Sequence, residues 1–470
     1  MAGNASLTIG GAFNGSTGTV TVPTSLLFGE PSIPGSLNAQ IQAYLGGITS
    51  GVANGTYNFQ NSDLAGNTGT IVGATVSGPA GTFEEFTDVS PTGVSATGSG
   101  NYTASITAGV TDLTVQTPGN VTLTGGAPDA TTLLFGANSS VDYSVTNPVA
   151  GTMYLAGGNN SVTLFSTGLA NAETIYSAGS DTINLEGQGT DYVTVFGNAT
   201  IQDLSANAVV TAEGNATTNL YWDSQNSGGT LNFTNNSSVA ATIHIGNFNG
   251  ATSATHVTAF GGAGGGYYVG GAAGDNSLVG GTGAVTLVGA GPGDFLEANS
   301  AQENILAQGG GAETLLASSS TGDNVFGAGL QYPGIGGNPA ASGVISTDGA
   351  GNQTFFLGNV PGGESVFGST ASTASNTYFI VSGTVGGATV GGGLYSIYNF
   401  TGANSNIFLS NGNGGAGSAS ISSAYVDQGH SGQYDVNLSD GTVIELKGLT
   451  ASEIAGIHTV TAFGVTGITG

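Results

Sequence analysis

The chain has no cysteine and a single basic residue, Lys447, among 470 residues. Without thiols there is no disulfide framework and no thiolate metal site. With one Lys and no Arg it has almost none of the side chains that bind phosphate backbones and anionic lipid headgroups, so neither nucleic acid nor a membrane surface is an expected partner. No apolar run approaches the ~18–20 residues of a membrane-spanning helix, so membrane insertion is not expected. The opening residues MAGNASLTIGGAFNG carry no basic n-region and no apolar h-region, so no standard N-terminal secretory signal is expected either.

What is present is glycine, 86 residues of it, with Ala, Ser, Thr and Asn filling much of the rest. Disordered chains combine high charge with few apolar residues. Here 39% of residues are hydrophobic and only 6% charged, which points to an ordered, turn-rich, all-β chain. The charge that exists is one-sided: 28 acidic residues against one basic give a net charge of −27. Salt bridges within the chain cannot balance it. The carboxylates must be spread out, solvated or paired with outside cations, and calcium fits such oxygen-rich, irregular sites.

Regularity is clearest from Gly270 to Phe326. Leu278, Leu287, Leu296 and Ile305 follow at intervals of nine, and Leu315 and Val325 continue at ten. Two residues before them stand Asn276, Val285, Asp294, Glu303, Glu313 and Asp323, each preceded by small-residue turns such as GGAAG or GAGPG. Glycine supplies the left-handed backbone of a tight turn. The triplet around each apolar residue is a minimal strand that must pair with its equivalent on the next coil. With two units per coil, Leu278, Leu296 and Leu315 form one buried column, and Leu287, Ile305 and Val325 the other. A looser version precedes it in Val162/Leu164, Ile183/Leu185, Val193/Val195, Leu231/Phe233 and Ile243/Ile245. The expected fold is therefore an all-β parallel β-solenoid, β-roll-like, over about 120–370 and most regular at 270–328.

The flanks differ. Residues 1–120 read as a β-rich cap with a short helix at 36–46, where Leu37, Ile41 and Leu45 share a face. Residues 371–470 read as a second cap. It holds a hairpin at 433–449 turning through the two residues Asp440-Gly441, and a capping box of Thr450 and Glu453. Solenoid ends expose unpaired strands, so capping is the expected role of both termini. Residues 1–30 are apolar enough to serve as a strand lent to a neighbouring molecule.

The glycine-rich nine-residue unit resembles the repeat of the RTX family, G-G-x-G-x-D-x-U-x. That resemblance implies a parallel β-roll with Ca²⁺ held in the turns by Asp carboxylates and backbone carbonyls. It also implies type I secretion through an uncleaved C-terminal signal, and VNLSDGTVIELKGLT (436–450) looks like the last hairpin of such proteins. No unit matches the full consensus, and Val285 cannot bind an ion. The candidate calcium ligands are Asp294, Glu303, Glu313 and Asp323, with Glu303 one coil from Asp323 and Asp294 one coil from Glu313. Carboxylates stacked that closely need a cation between them or must point into water.

No enzyme is expected. Polysaccharide lyases share the solenoid fold but use cationic or basic groups, and the only Lys or Arg here, Lys447, sits in the expected C-terminal hairpin. His244, His256, His430 and His458 show no metal-ligand spacing, and Glu84 and Glu85 on a strand would face opposite sides. In the aromatic pairs Tyr221-Trp222, Tyr267-Tyr268 and Phe355-Phe356 one ring faces inward and its neighbour outward. The resulting expectation is a secreted structural protein at the cell surface or outside the cell. It would polymerise with itself into a surface layer or biofilm-matrix filament, stabilised by Ca²⁺ and in contact with cell-surface or matrix polysaccharide. The alternatives are a calcium-dependent glycan-binding adhesin and a polysaccharide-modifying enzyme with an RTX-like module.

Overall fold

The computed structural model describes residues 6–13, 16–23, 39–41, 43–44, 58–63, 71–76, 82–87, 101–106, 110–116, 120–124, 132–135, 140–146, 151–165, 172–187, 189–203, 207–222, 229–245, 255–271, 274–289, 291, 293–299, 304–307, 314–317, 324–326, 344–347, 353–357, 364–368, 375–385, 388–389, 392–400, 405–410, 418–462 and 465–469. The chain divides into two compact units, Met1–Val239 and Ala240–Gly470. Each contains two sheets of parallel strands taken alternately along the sequence, which is a β-solenoid with two strands per coil.

In the second unit the nine-residue spacing produces the two columns expected from it. Ser277–Val279, Phe295–Glu297 and Thr314–Ala317 pair in parallel with Leu278, Leu296 and Leu315 in register. Val285–Gly289, Asn304–Ala307 and Asn324–Phe326 do the same with Leu287, Ile305 and Val325. The first column runs on through Ile345, Val366, Ile397 and Leu446, the second through Phe355, Tyr378 and Ile407. All are at most 1% exposed. A three-residue strand can turn only its central side chain inward, so its stability must come from the column. Each buried Leu or Ile contributes about 1.5–3 kcal/mol.

Most strands in the first unit are longer and alternate between buried and more exposed positions, as in Ser180–Glu186 and Asn198–Asp203. Met153, Ile175, Val193, Val210 and Phe233 stack in one sheet. Val162, Ile183, Ile201 and Leu220 stack in the other. Parallel pairing already begins with Asn58–Asp63 on Thr82–Thr87 and Ile71–Val76 on Asn101–Ile106. The solenoid thus extends upstream of residue 120, into the stretch read as a cap. Close stacking explains the turn glycines: a Cβ on Gly179 would lie 2.6 Å from the carbonyl oxygen of Gly158, one coil away.

Residues 39–41 and 43–44 are helical, within the expected helix; Leu37 and Leu45 lie outside the described residues. Ile41 is fully buried against Leu134 and Ala156. Leu134 sits between the inward-facing Leu133 and Phe135, so it points to the outer side of its strand; the helix is what buries it. This helix therefore covers a lateral face of a sheet, because apolar Leu134, Tyr154 and Tyr176 line up there in register. Tyr44 continues that stack at 5.9 Å from Tyr154, which is 5.4 Å from Tyr176.

At the C-terminus both sheets change from parallel to antiparallel. Val443–Lys447 is the last parallel rung of one sheet, followed by antiparallel Tyr434–Leu438 and Ile421–Val426. On the other, Val465–Thr469 and His458–Ala462 add antiparallel to Asn406–Ser410. The 433–449 hairpin is present, but its loop has three residues, 439–441, where two were expected. Leu438 N–H donates to the Thr442 carbonyl, and Gly441 takes φ 88°, as a turn followed by a left-handed residue requires. The capping box of Thr450 and Glu453 opens helix Ala451–Gly456.

Candidate functional site

The residue two positions before each buried apolar side chain is the chemically informative one. It is where the strand leaves the turn, and its N–H starts the ladder. Asn276 and Asp294 occupy this position on adjacent coils and are 1% and 0% exposed. Asn276 Nδ2 donates to Asp294 Oδ1 at 2.6 Å and to the Gly271 carbonyl at 2.8 Å. Asn276 N–H donates to the same Asp294 oxygen at 3.0 Å, and Gly291 N–H donates to the other at 3.0 Å. Asn276 Oδ1 in turn accepts from Val257 N–H, 19 residues earlier, at 2.9 Å. Each side chain thus ties the start of one coil to the start of the next.

The same constellation recurs in the first unit. Asn160 Nδ2 donates to Asp181 Oδ1 at 2.8 Å and to the Gly157 carbonyl at 2.9 Å; Asn160 N–H reaches that carboxylate at 3.2 Å. Ser177 Oγ–H donates to Asp181 Oδ2 at 2.6 Å. Burial pushes the Asp181 carboxyl up to about 6, against the opposing pull of the bonds from Ser177 and Asn160. A further step is Gln353 N–H to Asn376 Oδ1 at 3.1 Å. The dipoles of amides and hydroxyls carry these ladders, which is how a chain with one Lys satisfies buried carboxylates.

One step differs. Glu173 and Asp191 are stacked at this position, with Glu173 N–H donating to Asp191 Oδ1 at 3.0 Å and Gly151 N–H to Glu173 Oε2 at 3.2 Å. Among the described residues, Glu173 Oε1 is buried without a hydrogen-bond partner. Burial first, then the neighbouring Asp191 charge, raises the Glu173 carboxyl to about 8. The buried Tyr143 hydroxyl is raised as well, by burial and by Glu173.

Of the four candidate calcium ligands, Asp294 is the one described, and it is spent inside the ladder. Glu303, Glu313 and Asp323 lie outside the described residues. The register that would stack them holds for their neighbours: Asn304 opposes Asn324, and Phe295 opposes Thr314. Among the described residues no group of three or more His, Asp or Glu could hold a metal ion. Sequence reasoning missed Asn160, Glu173, Asp181 and Asp191. Their signal was the same offset, two residues before Val162, Ile175, Ile183 and Val193.

His256 is exposed, with Nδ1 2.8 Å from the Gly274 carbonyl oxygen, and exposed His430 pairs with Asp427 at 2.6 Å. Lys447 bonds Glu445 at 2.7 Å and Ser396 Oγ at 3.1 Å, and lies 5.5 Å from the Tyr398 ring centre. Tyr268 and Phe355 face inward and are fully buried, while Tyr267 and Phe356 are half-buried. Phe356, Phe379 and Phe408 stack coil over coil at 5.1 and 5.6 Å. Glu84 and Glu85 lie on strand Thr82–Thr87. Comparison with protein-family models, curated proteins and solved structures returns no match.

Proposed function

We propose that this is an extracellular structural protein that polymerises with itself into a surface layer or matrix filament. The observation that carries this reading is the use made of the buried polar side chains. Asn160, Asp181, Asn276 and Asp294, which an enzyme of this fold would be free to turn toward a groove, are instead bonded coil to coil. The sole Lys is likewise engaged by Glu445 and Ser396. Such a chain is built for length and regularity.

Calcium, on this reading, is held by carboxylates such as Glu303, Glu313 and Asp323 or at contacts between copies, where acidic groups would need a cation between them. The adhesin reading gains little from the outward aromatics. Phe356, Phe379 and Phe408 are nearly parallel, at 9° and 29°. The faces between them are covered by one another, whereas a sugar stacks on a free ring face.

Electron microscopy of the purified protein with millimolar calcium and with chelator tests the proposal. Ordered polymers in either condition support it, and the difference between the two reports the part played by calcium. Monodisperse particles in both conditions would overturn it, and glycan binding by those particles would establish the adhesin reading in its place.

A further inference from the structure

Among the described residues the outermost strand of one sheet is Ile421–Val426, paired on one side only, with Tyr434–Leu438. Its phase can be read from its end. Asp427 N–H donates to the Gln433 carbonyl at 3.0 Å. In an antiparallel pair the bonded positions alternate, so Tyr425 and Ser423 also bond inward, and the backbone groups of Ala424 and Val426 face away from the sheet. Residues 422–426 are exposed, Tyr425 by 48% and Val426 by 39%. Natural edge strands are guarded by Lys, Pro or inward charges. From Ser418 to Val426 this one, SASISSAYV, has none of them; its guard is a register shift between Ile421 and Ser423.

A second segment has matching properties. Ser6–Phe13 and Ser16–Pro23 form a two-stranded antiparallel sheet whose strands, among the described residues, pair only with each other. Residues 1–29 contain no charged residue, in a chain of net charge −27. Two copies of so acidic a protein repel wherever carboxylates meet, so close contact is favoured where both surfaces are uncharged. The exposed edge at 422–426 and the N-terminal strands 6–23 both lack charged residues. Two identical edges pairing with each other would close at a dimer, whereas an edge that accepts a different segment makes an open chain.

We propose that the Ile421–Val426 edge is the acceptor site for a second copy of this chain. It takes the β-branched strand Ser16–Pro23 of that copy through the outward backbone groups of Ala424 and Val426. This rests on the polymerisation reading and names its interface. The hydrogen-bonded ladder then continues from one molecule into the next, with the Ser6–Phe13 strand covering the new outer edge.

The test uses two full-length variants. Ala424→Pro removes an outward N–H and crowds the edge, while leaving the bonds at Tyr425 and Asp427 intact. Val20→Pro/Thr21→Pro disables the donor strand in either phase. Each alone is expected to lower polymer yield on the order of tenfold or more, as the loss of an edge bond plus a clash implies. Mixed in equal amounts, they should form a heterodimer and nothing larger by light scattering, since one intact donor meets one intact acceptor. Tyr425→Glu, which puts charge on the same edge, should behave like Ala424→Pro and serves if the proline variant loses its β circular dichroism. Wild-type-like polymers from folded edge variants would overturn this interface while leaving polymerisation standing. So would a mixture that stays monomeric or grows past two. A monomeric wild type would overturn both.

Discussion

Asn276 and Asp294 form a donor–acceptor pair whose two members are not interchangeable. The Asn supplies the N–H groups and the Asp the charge, so replacing the Asn with a second Asp removes donors and sets two buried carboxylates together. Asn276→Asp is expected to cost about 2–4 kcal/mol, measured by denaturant unfolding, with part of the loss recovered as pH is lowered and one carboxyl takes a proton. Glu173 makes the opposite case, because that stack already exists. Its carboxyl is raised to about 8 in the folded protein, so the folded state holds this proton more tightly than the unfolded state. Its contribution to stability is then complete below about pH 4.5 and is lost as pH rises toward 8. Asp181, raised to about 6, acts in the same direction over a lower window. Thermal melts should therefore show lower Tm at pH 8 than at pH 5. Glu173→Gln, which keeps an acceptor for Gly151 N–H, should raise Tm at pH 8 and flatten the slope. A lower Tm for this variant at pH 8 would contradict the assignment.

Strands of three or four residues owe their existence to what lies on the neighbouring coil. Leu296→Ala opens a cavity in the middle of the column from Leu278 to Leu315 and should cost about 2–5 kcal/mol. Thr450→Ala removes a cap at the exposed helix Ala451–Gly456 and should cost about 1 kcal/mol; unfolding curves of the two variants give the comparison. The columns were legible in the sequence because the spacing of nine directly states which Leu lies above which. The capping box was legible because it is local, three residues from Thr450 to Glu453. The ladder was not. Its partners are 18 residues apart for Asn276 and Asp294 and 21 for Asn160 and Asp181, so coil length varies and the pairing emerges only once coils are aligned. An Asp in that motif position also reads as a metal ligand or a solvated group, and nothing local says that an Asn amide answers it. The helix over Leu134 was legible at its place in the sequence, but the surface it covers was not. Its amphipathic face shows that it packs, but its covered surface is built from Leu134, Tyr154 and Tyr176 on three separate coils.

With 28 acidic residues and one basic one, the whole protein repels itself, and the folded form more strongly than the extended chain. Raising salt from about 10 to 150 mM shortens the screening length from about 30 to 8 Å and should raise Tm. The same change should speed polymer growth if copies meet through the uncharged segments 6–23 and 418–426, since screening relieves the repulsion around them. The claim beneath all of this is that successive coils lie in parallel and in register. The absence of cysteine makes it directly measurable. Thr286 and Asn304 are opposed on adjacent rungs, with Asn304 Nδ2 3.4 Å from Thr286 Oγ1, and rungs ~4.8 Å apart fall within disulfide reach. Under mild oxidation Thr286→Cys/Asn304→Cys should cross-link within the folded monomer, while Thr286→Cys/Asn324→Cys, two rungs apart, should not. Failure of the first pair, or efficient cross-linking of the second, would contradict the register on which the columns, the ladder and the proposed assembly are built.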